Sequence, residues 1–316
     1  MLDLKRTIVL FLSNMRDLKP STHIVYPPFK NGLYMEEYFS KYWANETFPL
    51  KERFIYIDAF WHNIFQSVGG KIKETMLEIT PYILEICNKA ASEGKYVFTI
   101  CQWDDGINLQ CTKPDNFIIF SIGGSNNKND CDIRLPLIVE DKSYKLLHTP
   151  RVKLNKKTIL CSFIGTFTHN LRIVMFNSLQ HVDGFKFFIK ESWTLDIPDH
   201  MANTFIDVTQ NSKFGLAPRG YGNSSFRFFE IMQLGVIPIY IYDIDDINGL
   251  PYQDIIDYSR FSIVIRIDKI SALPNILKSI TDEQYNEMLQ DMERVKLWFT
   301  PYGICTYVQN VLINMA

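Results

Sequence analysis

The segment Phe214–Tyr240 constrains this chain more than any other part of its sequence. It predicts a short buried strand, a glycine-rich turn over 219–223, a helix that ends at Gly235, and a second strand over 236–241. A loop that leads into a helix N-terminus favours anions, because unpaired backbone N–H groups and the positive end of the helix dipole converge there. The segment therefore predicts an anion site within an α/β unit.

Charged side chains in this segment suit a nucleotide. Arg219 and Arg227 carry planar guanidinium groups that pair well with phosphate oxygens. Glu230 follows Arg227 by three residues, so both side chains lie on one helix face. A carboxylate one turn from a phosphate site is well placed to accept hydrogen bonds from two ribose hydroxyls. Together these side chains predict a pocket for a nucleoside diphosphate.

A longer pattern runs through the same segment. It consists of Pro218-Arg-Gly-Tyr-Gly222, Ser225-Phe-Arg227, Glu230, Gly235 and Ile237-Pro238, with unbroken spacing. This pattern resembles the donor-binding signature of the exostosin family of glycosyltransferases. Phe163–Arg172 is similar to the family's upstream phosphate-side block and Pro251–Ile265 to its next block, whereas residues 1–150 match only in patches.

The resemblance implies a UDP-sugar donor and gives roles to the residues around it. Arg227 and Glu230 would hold the diphosphate and the ribose, and Arg172 would neutralise the departing diphosphate. Gly165 would allow close approach of the backbone, and His169 would assist. The other expected donor-site residues are Arg219, Tyr221, Gly222, Ser224 and Ser225.

Several of these residues have a purely structural alternative. Arg172 would then be a surface residue at a helix start, and His169 a residue of the helix cap. Arg219 could simply be solvated in its loop, and Tyr221 could cover the loop rather than stack on uracil. The sequence alone does not separate these alternatives.

Short apolar segments alternate with helical patterns along the chain. Strands are predicted over 54–58, 96–101, 117–121, 158–164, 185–189 and 261–265. Continuous apolar runs of this length are typical of a parallel sheet that is covered on both faces. We therefore predict an α/β protein of the GT-B architecture, with two Rossmann-like βαβ domains facing a cleft.

The segment 141–157 is rich in Lys and Pro and is predicted to link the two domains. Residues 1–150 would form the acceptor-side domain, and residues 151–316 the nucleotide-sugar-binding domain with its terminal helices. Ligands in such folds bind beyond the carboxyl ends of the strands, so the donor is expected in the crevice at that edge.

Composition excludes some partners and favours a compartment. The net charge of −2 gives no electrostatic footprint for nucleic acid or acidic membranes. The six cysteines are scattered without a Cys-x-x-Cys pair, which favours free thiols in a reducing compartment. The apolar run Thr7–Leu12 is too short for a signal sequence or a membrane span and predicts a strand. We expect a soluble, cytoplasmic protein without the N-terminal anchor of animal and plant exostosins, as in bacteria or large algal viruses.

A metal-dependent alternative rests on Asp243-Ile-Asp245, which resembles the Asp-x-Asp metal motif of the GT-A fold. Carboxylates are also common in the solvated loop after a strand, and the exostosin family holds the diphosphate with arginine and backbone groups. We therefore expect no metal ion and no cofactor besides the donor substrate. The chain also has no Gly-x-Gly-x-x-Gly after its first strand and no Walker A sequence, which argues against a dehydrogenase or a P-loop enzyme.

The predicted catalytic base is Asp105 or Asp104, which follow the strand over 96–101. An inverting transfer needs such a group near the acceptor hydroxyl, and repulsion within the pair would raise one pKa. Asp105 is favoured because Gly106 beside it leaves room for an acceptor. Exostosin relatives carry a His-Asp-x-Gly-like segment here, but this chain has Gln102-Trp-Asp-Asp and lacks that His, and both carboxylates could simply be solvated in a turn. Further candidates are Glu36, Glu37, Asp58 and His62.

The sequence thus predicts an inverting glycosyltransferase that moves a sugar from a UDP-sugar to a hydroxyl of a glycan acceptor. UDP-xylose or another neutral sugar is favoured over UDP-glucuronate, because the sequence offers no basic cluster beyond the diphosphate site. One alternative is a non-catalytic partner subunit that binds a nucleotide sugar but lacks a base. The other is a metal-dependent GT-A transferase that uses Asp243 and Asp245.

Overall fold

Two parallel β-sheets organise the protein in the computed structural model. The structure describes residues 33–123, 132–190, 198–243 and 249–315. The strand predicted over Thr7–Leu12 and the second carboxylate of the Asp-x-Asp sequence, Asp245, lie outside these residues. No helix within the described ranges combines the length and the apolar character that crossing a membrane requires.

The first sheet lies in the N-terminal half and has the strand order β1-β2-β3-β4, all parallel. Helix α3 covers one face of this sheet, because its apolar residues recur at helical spacing and pack on the strands. The elements are α1 (Met35–Asn45), β1 (Phe54–Tyr56), α2 (Trp61–Val68), α3 (Ile72–Ser92), β2 (Tyr96–Cys101), β3 (Phe117–Ile122), β4 (Asp132–Leu135) and α4 (Glu140–Leu147).

The second sheet lies in the C-terminal half and has the order β6-β5-β7-β8-β9, again all parallel. Its strands are β5 (Ile159–Thr166), β6 (Phe185–Lys190), β7 (Ser212–Pro218), β8 (Ile237–Tyr242) and β9 (Ile263–Arg266). The helices are α5 (Asn170–Leu179), α6 (Asp199–Gln210), α7 (Phe226–Gln233), α8 (Leu273–Ser279), α9 (Asp282–Val295) and α10 (Pro301–Met315).

The strand order of the second sheet reverses between β5 and β7. After β5 the chain adds β6 on one side, and it then returns to add β7 on the other side. Connections therefore leave the carboxyl ends of these two strands in opposite directions and open a crevice between them, the usual ligand position in such sheets. The donor-site residues predicted from the sequence lie at the end of β5 and after β5 and β7, at this crevice.

One apolar core joins the two halves. It contains Phe98 and Ile122 of the first sheet together with Phe228 of α7 and Leu312 of α10. Helix α10 packs against α1, and the Tyr42 hydroxyl donates a hydrogen bond to Gln309 Oε1 at 3.1 Å. The C-terminal helix thus closes over the N-terminal sheet.

The structure confirms the predicted α/β class with two parallel sheets, the layout of the GT-B architecture. Helix α4 occupies the first half of the segment 141–157, which the sequence predicts as the interdomain linker, and it packs on α7. Strand β4 and helix α6 were missed. The boundary at residue 150 falls between β4 and β5, while the division into two domains stays a prediction.

Candidate functional site

Arg172 ties the loop after β5 to the loop after β7. Its guanidinium donates to three backbone carbonyls: Nε to Arg219 O at 2.9 Å, Nη1 to Thr166 O at 3.0 Å and Nη2 to Pro218 O at 3.3 Å. The side chain is buried, and burial, with the nearby charge of Arg227, lowers the pKa of Arg172 to about 10. Arg172 is therefore not the solvated surface residue of the structural alternative; it shapes the crevice from within.

The neighbouring predicted residues have clear local roles. His169 is the N-cap of α5, and its Nδ1 accepts a hydrogen bond from Leu171 N at 3.2 Å. Gly165 lies inside β5, where a Cβ would come within 2.8 Å of the Phe163 ring. The structure thus supports the cap alternative for His169 and a packing reason for Gly165, and it leaves their expected ligand roles as predictions.

The glycine-rich loop after β7 is folded back on itself. Arg219 is buried, and its Nη2 donates to Tyr221 O at 2.8 Å. The Tyr221 side chain is 61% exposed, so it forms the outer surface of the loop. Ser224 is buried, and Ser225 is the N-cap of α7 in extended conformation without a side-chain cap bond. Backbone N–H groups at the start of α7 therefore have no capping hydroxyl from Ser225.

Glu230 is the buried centre of an ion triad whose two cations are partly exposed. One carboxylate oxygen is paired with Arg227 on the same helix, and the other with Lys142 of α4. Burial alone would raise the pKa of Glu230, but the charges of Arg227 and Lys142 lower it to about 2. Arg227 is fixed further, since its Nε donates to Ile164 O at 2.8 Å and its guanidinium lies 4.2 Å from the centre of the Phe205 ring.

Positive charge exceeds negative charge in this part of the crevice. The charge of Arg227 lowers the pKa of Arg172, and it also lowers the pKa of Lys142, on which burial has the larger effect. Holding like charges together in a buried site costs free energy unless an anion compensates them. The arrangement therefore favours a bound anion at the switch point between β5 and β7.

Asp104 reaches the donor loop from the first sheet. A Cβ placed on Gly222 would lie 2.6 Å from Asp104 Oδ1, so the carboxylate occupies the space that the glycine leaves open. Burial, and then the charge of Asp105, raise the pKa of Asp104 to about 6, although Arg219 opposes the shift. Asp105 itself is exposed. The structure thus brings Asp104 next to the predicted donor site and leaves Asp105 on the surface.

A buried polar network holds the segment that carries Asp104. The fully buried Glu36 accepts a hydrogen bond from Gln102 N at 2.6 Å and pairs with His62 Nδ1 at 2.6 Å. The Gln102 side chain also bonds to α1, since its Oε1 accepts a hydrogen bond from Met35 N at 3.0 Å. Glu36 and His62, two of the further base candidates, thus lock α1 and α2 to the end of β2.

The remaining acidic candidates are less informative. Glu37 is half-buried, and burial raises its pKa. Asp58 accepts a hydrogen bond from Ser40 Oγ at 2.9 Å in an exposed position.

No group of three His, Cys, Asp or Glu side chains that could hold a metal ion occurs among the residues with described coordinates, which include Asp243 but not Asp245. The Asp-x-Asp alternative is therefore not tested by the geometry.

Comparison with known proteins decides the family. The profile of the Exostosin GT47 domain matches residues 96–280, more than half of the chain. The chain belongs to the exostosin GT47 family. This confirms the resemblance predicted from the sequence, and the match includes the loops after β5 and β7 that form the crevice and the loop after β2 that carries Asp104.

Curated exostosin relatives are identical to this chain at about a quarter of the aligned positions. The exostosin-1 homolog of Caenorhabditis elegans is 26% identical over 186 residues, which are 52% of this chain and 48% of the relative. Exostosin-1 of Drosophila melanogaster is 25% identical over 204 residues, 58% of this chain and 26% of the relative. The chain therefore spans less than half the length of these exostosins.

Solved structures with a similar course of the chain include two transferase-related proteins. An α1,3-fucosyltransferase crystallised with GDP-fucose matches with a TM-score of 0.36 and 17% identity, over 61% of this chain and 68% of that one. The GtfA/B complex matches with a TM-score of 0.39 and 10% identity, over 75% of this chain and 54% of that one.

The contact between Asp104 and Gly222 gives a first test of the crevice in this exostosin GT47 chain. Gly222→Ala should destabilise the protein by about 1–3 kcal/mol, because the new methyl group overlaps the Asp104 carboxylate. Asp104→Ala removes the overlapping atoms, so the double variant should recover most of that loss. Urea unfolding of the wild type, both single variants and the double variant measures the coupling. Strictly additive effects would show that the two residues are not in contact.

Proposed function

We propose that this chain transfers a sugar from a UDP-sugar to a hydroxyl of a glycan acceptor, with inversion at the anomeric carbon. The observation that carries the proposal is the cationic crevice between β5 and β7, within the region that matches the family. The uridine and the glycan acceptor follow from the family resemblance. The diphosphate follows from the charges and from the N-terminus of α7.

The donor would lie across the two loops of the crevice. Arg219, Arg227 and the N-terminus of α7 would hold the diphosphate, while Arg172, whose guanidinium donates to three backbone carbonyls of the two loops, would keep these loops in place for it. Glu230 would accept hydrogen bonds from the ribose hydroxyls. A neutral sugar such as xylose remains the favoured transferred group. In this arrangement the departing diphosphate is stabilised by fixed cations and backbone dipoles.

The transfer would be a single displacement. The acceptor hydroxyl oxygen forms a bond to the anomeric carbon, while the bond from that carbon to the diphosphate oxygen breaks and UDP leaves with the electron pair. The hydroxyl proton passes to a base on the acceptor side. We propose Asp104 for this role ahead of Asp105, because its pKa of about 6 suits a base at neutral pH and it contacts the donor loop.

The test is a screen for release of UDP from common UDP-sugars, including UDP-xylose, UDP-glucose and UDP-glucuronate, with and without glycan acceptors. Stimulation of UDP release by an acceptor, with an inverted anomeric product by NMR, would support the proposal. Binding of UDP without any transfer would favour the non-catalytic partner subunit. Absence of binding to any nucleoside diphosphate would overturn the proposal altogether.

Transfer should not depend on a divalent metal ion. If fixed arginines and the helix N-terminus stabilise the leaving group, addition of EDTA should leave most of the activity intact. Asp243→Asn should have a similarly mild effect. Complete loss of transfer in EDTA, with recovery on addition of manganese, would instead favour the GT-A alternative with Asp243 and Asp245.

A further inference from the structure

Lys142 is the member of the ion triad around Glu230 that no sequence motif indicates. It lies on α4, outside the donor-site segment, yet its ammonium group pairs with Glu230 in the crevice. We infer that Lys142 is a nucleotide-binding residue that acts together with Glu230 on the ribose of the donor. The inference rests on the proposed function, since it specifies which residues hold the donor nucleotide.

Helix α4 is docked on α7 in a way that fixes Lys142. One residue along, Ser143 Oγ accepts a hydrogen bond from Gln233 Nε2 at 2.5 Å, and Gln233 also donates to Phe299 O at 3.0 Å. One turn along, Leu146 and Leu234 share a buried apolar cluster with Phe205. These contacts hold the two helices side by side without help from Lys142, so the ion pair is not required to dock α4.

The charge count of the triad points to a ligand. Arg227 already neutralises Glu230, and Lys142 leaves the triad with an excess positive charge. Burial lowers the pKa of Lys142, and the charge of Arg227 lowers it further, so the ammonium form is held there at a cost. Arg172 adds another positive charge nearby. A polyanion that enters the crevice compensates this excess, whereas packing alone gives no reason for it.

The chemistry of the triad suits a ribose diol. An ionised carboxylate has acceptor positions for about four hydrogen bonds, so Glu230 with one cation on each oxygen can still accept from two hydroxyls. Lys142 lies on the Glu230 oxygen opposite to the one that Arg227 binds. Lys142 thus fixes the rotation of the Glu230 carboxylate and would place a positive charge next to the hydroxyl oxygens of the bound ribose. Loss of Lys142 should therefore weaken recognition of the ribose hydroxyls more than recognition of the diphosphate.

Calorimetric titration with UDP and with 2′-deoxy-UDP tests this inference. The wild type should bind UDP at least about tenfold more tightly than 2′-deoxy-UDP, as expected for a hydrogen bond to a charged group. Lys142→Met should weaken UDP binding about tenfold or more and bring the two affinities close together. Lys145→Met is the matched control, because Lys145 is on the same helix and exposed, and it should bind both ligands like the wild type.

Each outcome decides the inference. An unchanged preference for UDP in Lys142→Met would overturn the role of Lys142 and leave the proposed function standing. Wild-type protein that binds no nucleoside diphosphate would instead show the failure of the proposed function, and the inference would fall with it. If Lys142→Met does not fold, Lys142→Gln retains a hydrogen bond to Glu230 without the charge. Loss of the preference in that variant supports the inference, and an unchanged preference overturns it.

Discussion

Asp104→Asn should lower the rate of sugar transfer about 10²–10⁴-fold, the usual contribution of a general base. The amide has nearly the same shape as the carboxylate, so the contact with Gly222 should persist, but it cannot accept the acceptor proton. UDP affinity should not fall, because the substitution removes a negative charge next to Arg219 in an anion site. The measurement is the transfer rate with the best donor from the screen, together with UDP titration of the same samples.

The pH dependence gives an independent check on this base. Burial and the charge of Asp105 raise the pKa of Asp104 to about 6, so kcat/KM of the wild type should rise as pH increases through about 6. Asp104→Asn should remove that rise. A raised carboxyl pKa means that ionisation of Asp104 costs folding stability, a cost that appears as pH rises from the ordinary value to about 6. The Asn variant should therefore be at least as stable as the wild type at neutral pH.

Asp105→Asn is the natural companion variant. Asp105 is exposed and neighbours Asp104, so Asp105→Asn should change the transfer rate only mildly. Because the charge of Asp105 raises the pKa of Asp104, the rise of kcat/KM with pH should occur at a lower pH in this variant than in the wild type. The opposite ranking, with Asp105→Asn severe and Asp104→Asn mild, would instead support Asp105, the base that the sequence analysis favours. If both variants work like the wild type, the base lies elsewhere on the acceptor side.

The donor segment could be predicted because its signals are local. The apolar strand residues and Gly235, which has a φ of +70° just after α7, act within a few positions of the chain, and β7, α7 and β8 lie where they were expected. A signature with fixed spacing also identifies the family from this segment. Strands such as β2, β3 and β8 could be predicted for the same reason, because each is a nearly continuous apolar run.

Contacts between distant parts of the chain could not be predicted in the same way. Lys142 lies in a Lys-rich segment that looks like a solvated linker, and only the docking of α4 on α7 brings it to Glu230. The approach of Asp104 to Gly222 likewise depends on how the two sheets face each other. Strand β4 has the sequence Asp-Ile-Arg-Leu, and because two of its four residues are charged it lacks the apolar run by which the other strands were predicted. In each case the position of the residue or strand depends on tertiary contacts, and these leave no periodic pattern in the sequence.

The ion triad makes the buried Glu230 a structural residue as well as a predicted ligand of the ribose. Glu230→Ala should destabilise the protein by about 1–3 kcal/mol, because it leaves the partly buried cations Lys142 and Arg227 without their counter-charge. UDP binding should weaken as well, by about 1.5–3 kcal/mol for the lost hydrogen bonds to a charged group. Urea unfolding at neutral pH and UDP titration of the folded variant measure the two effects separately.

Glu293 provides a matched control for this substitution. It also pairs with one arginine and one lysine, Arg151 and Lys296, but on the surface of the protein. Its side chain is 38% exposed against 6% for Glu230. Glu293→Ala should therefore cost no more than about 1 kcal/mol, as is usual for exposed pairs. Equal losses for the two variants would mean that burial of the triad contributes nothing to its stability.

The acid limb of the stability curve completes the argument for Glu230. Its pKa in the folded protein is about 2, below the ordinary value of 4.5, so its contribution is fully present above that ordinary value. As pH falls toward about 2, the carboxylate takes up a proton in the folded state and the contribution is lost. The difference in unfolding free energy between the wild type and Glu230→Ala should therefore shrink over this range. A difference that stays constant down to the lower limit would mean that the charge of Glu230 does not balance Lys142 and Arg227, and that the cost of the substitution comes from packing alone.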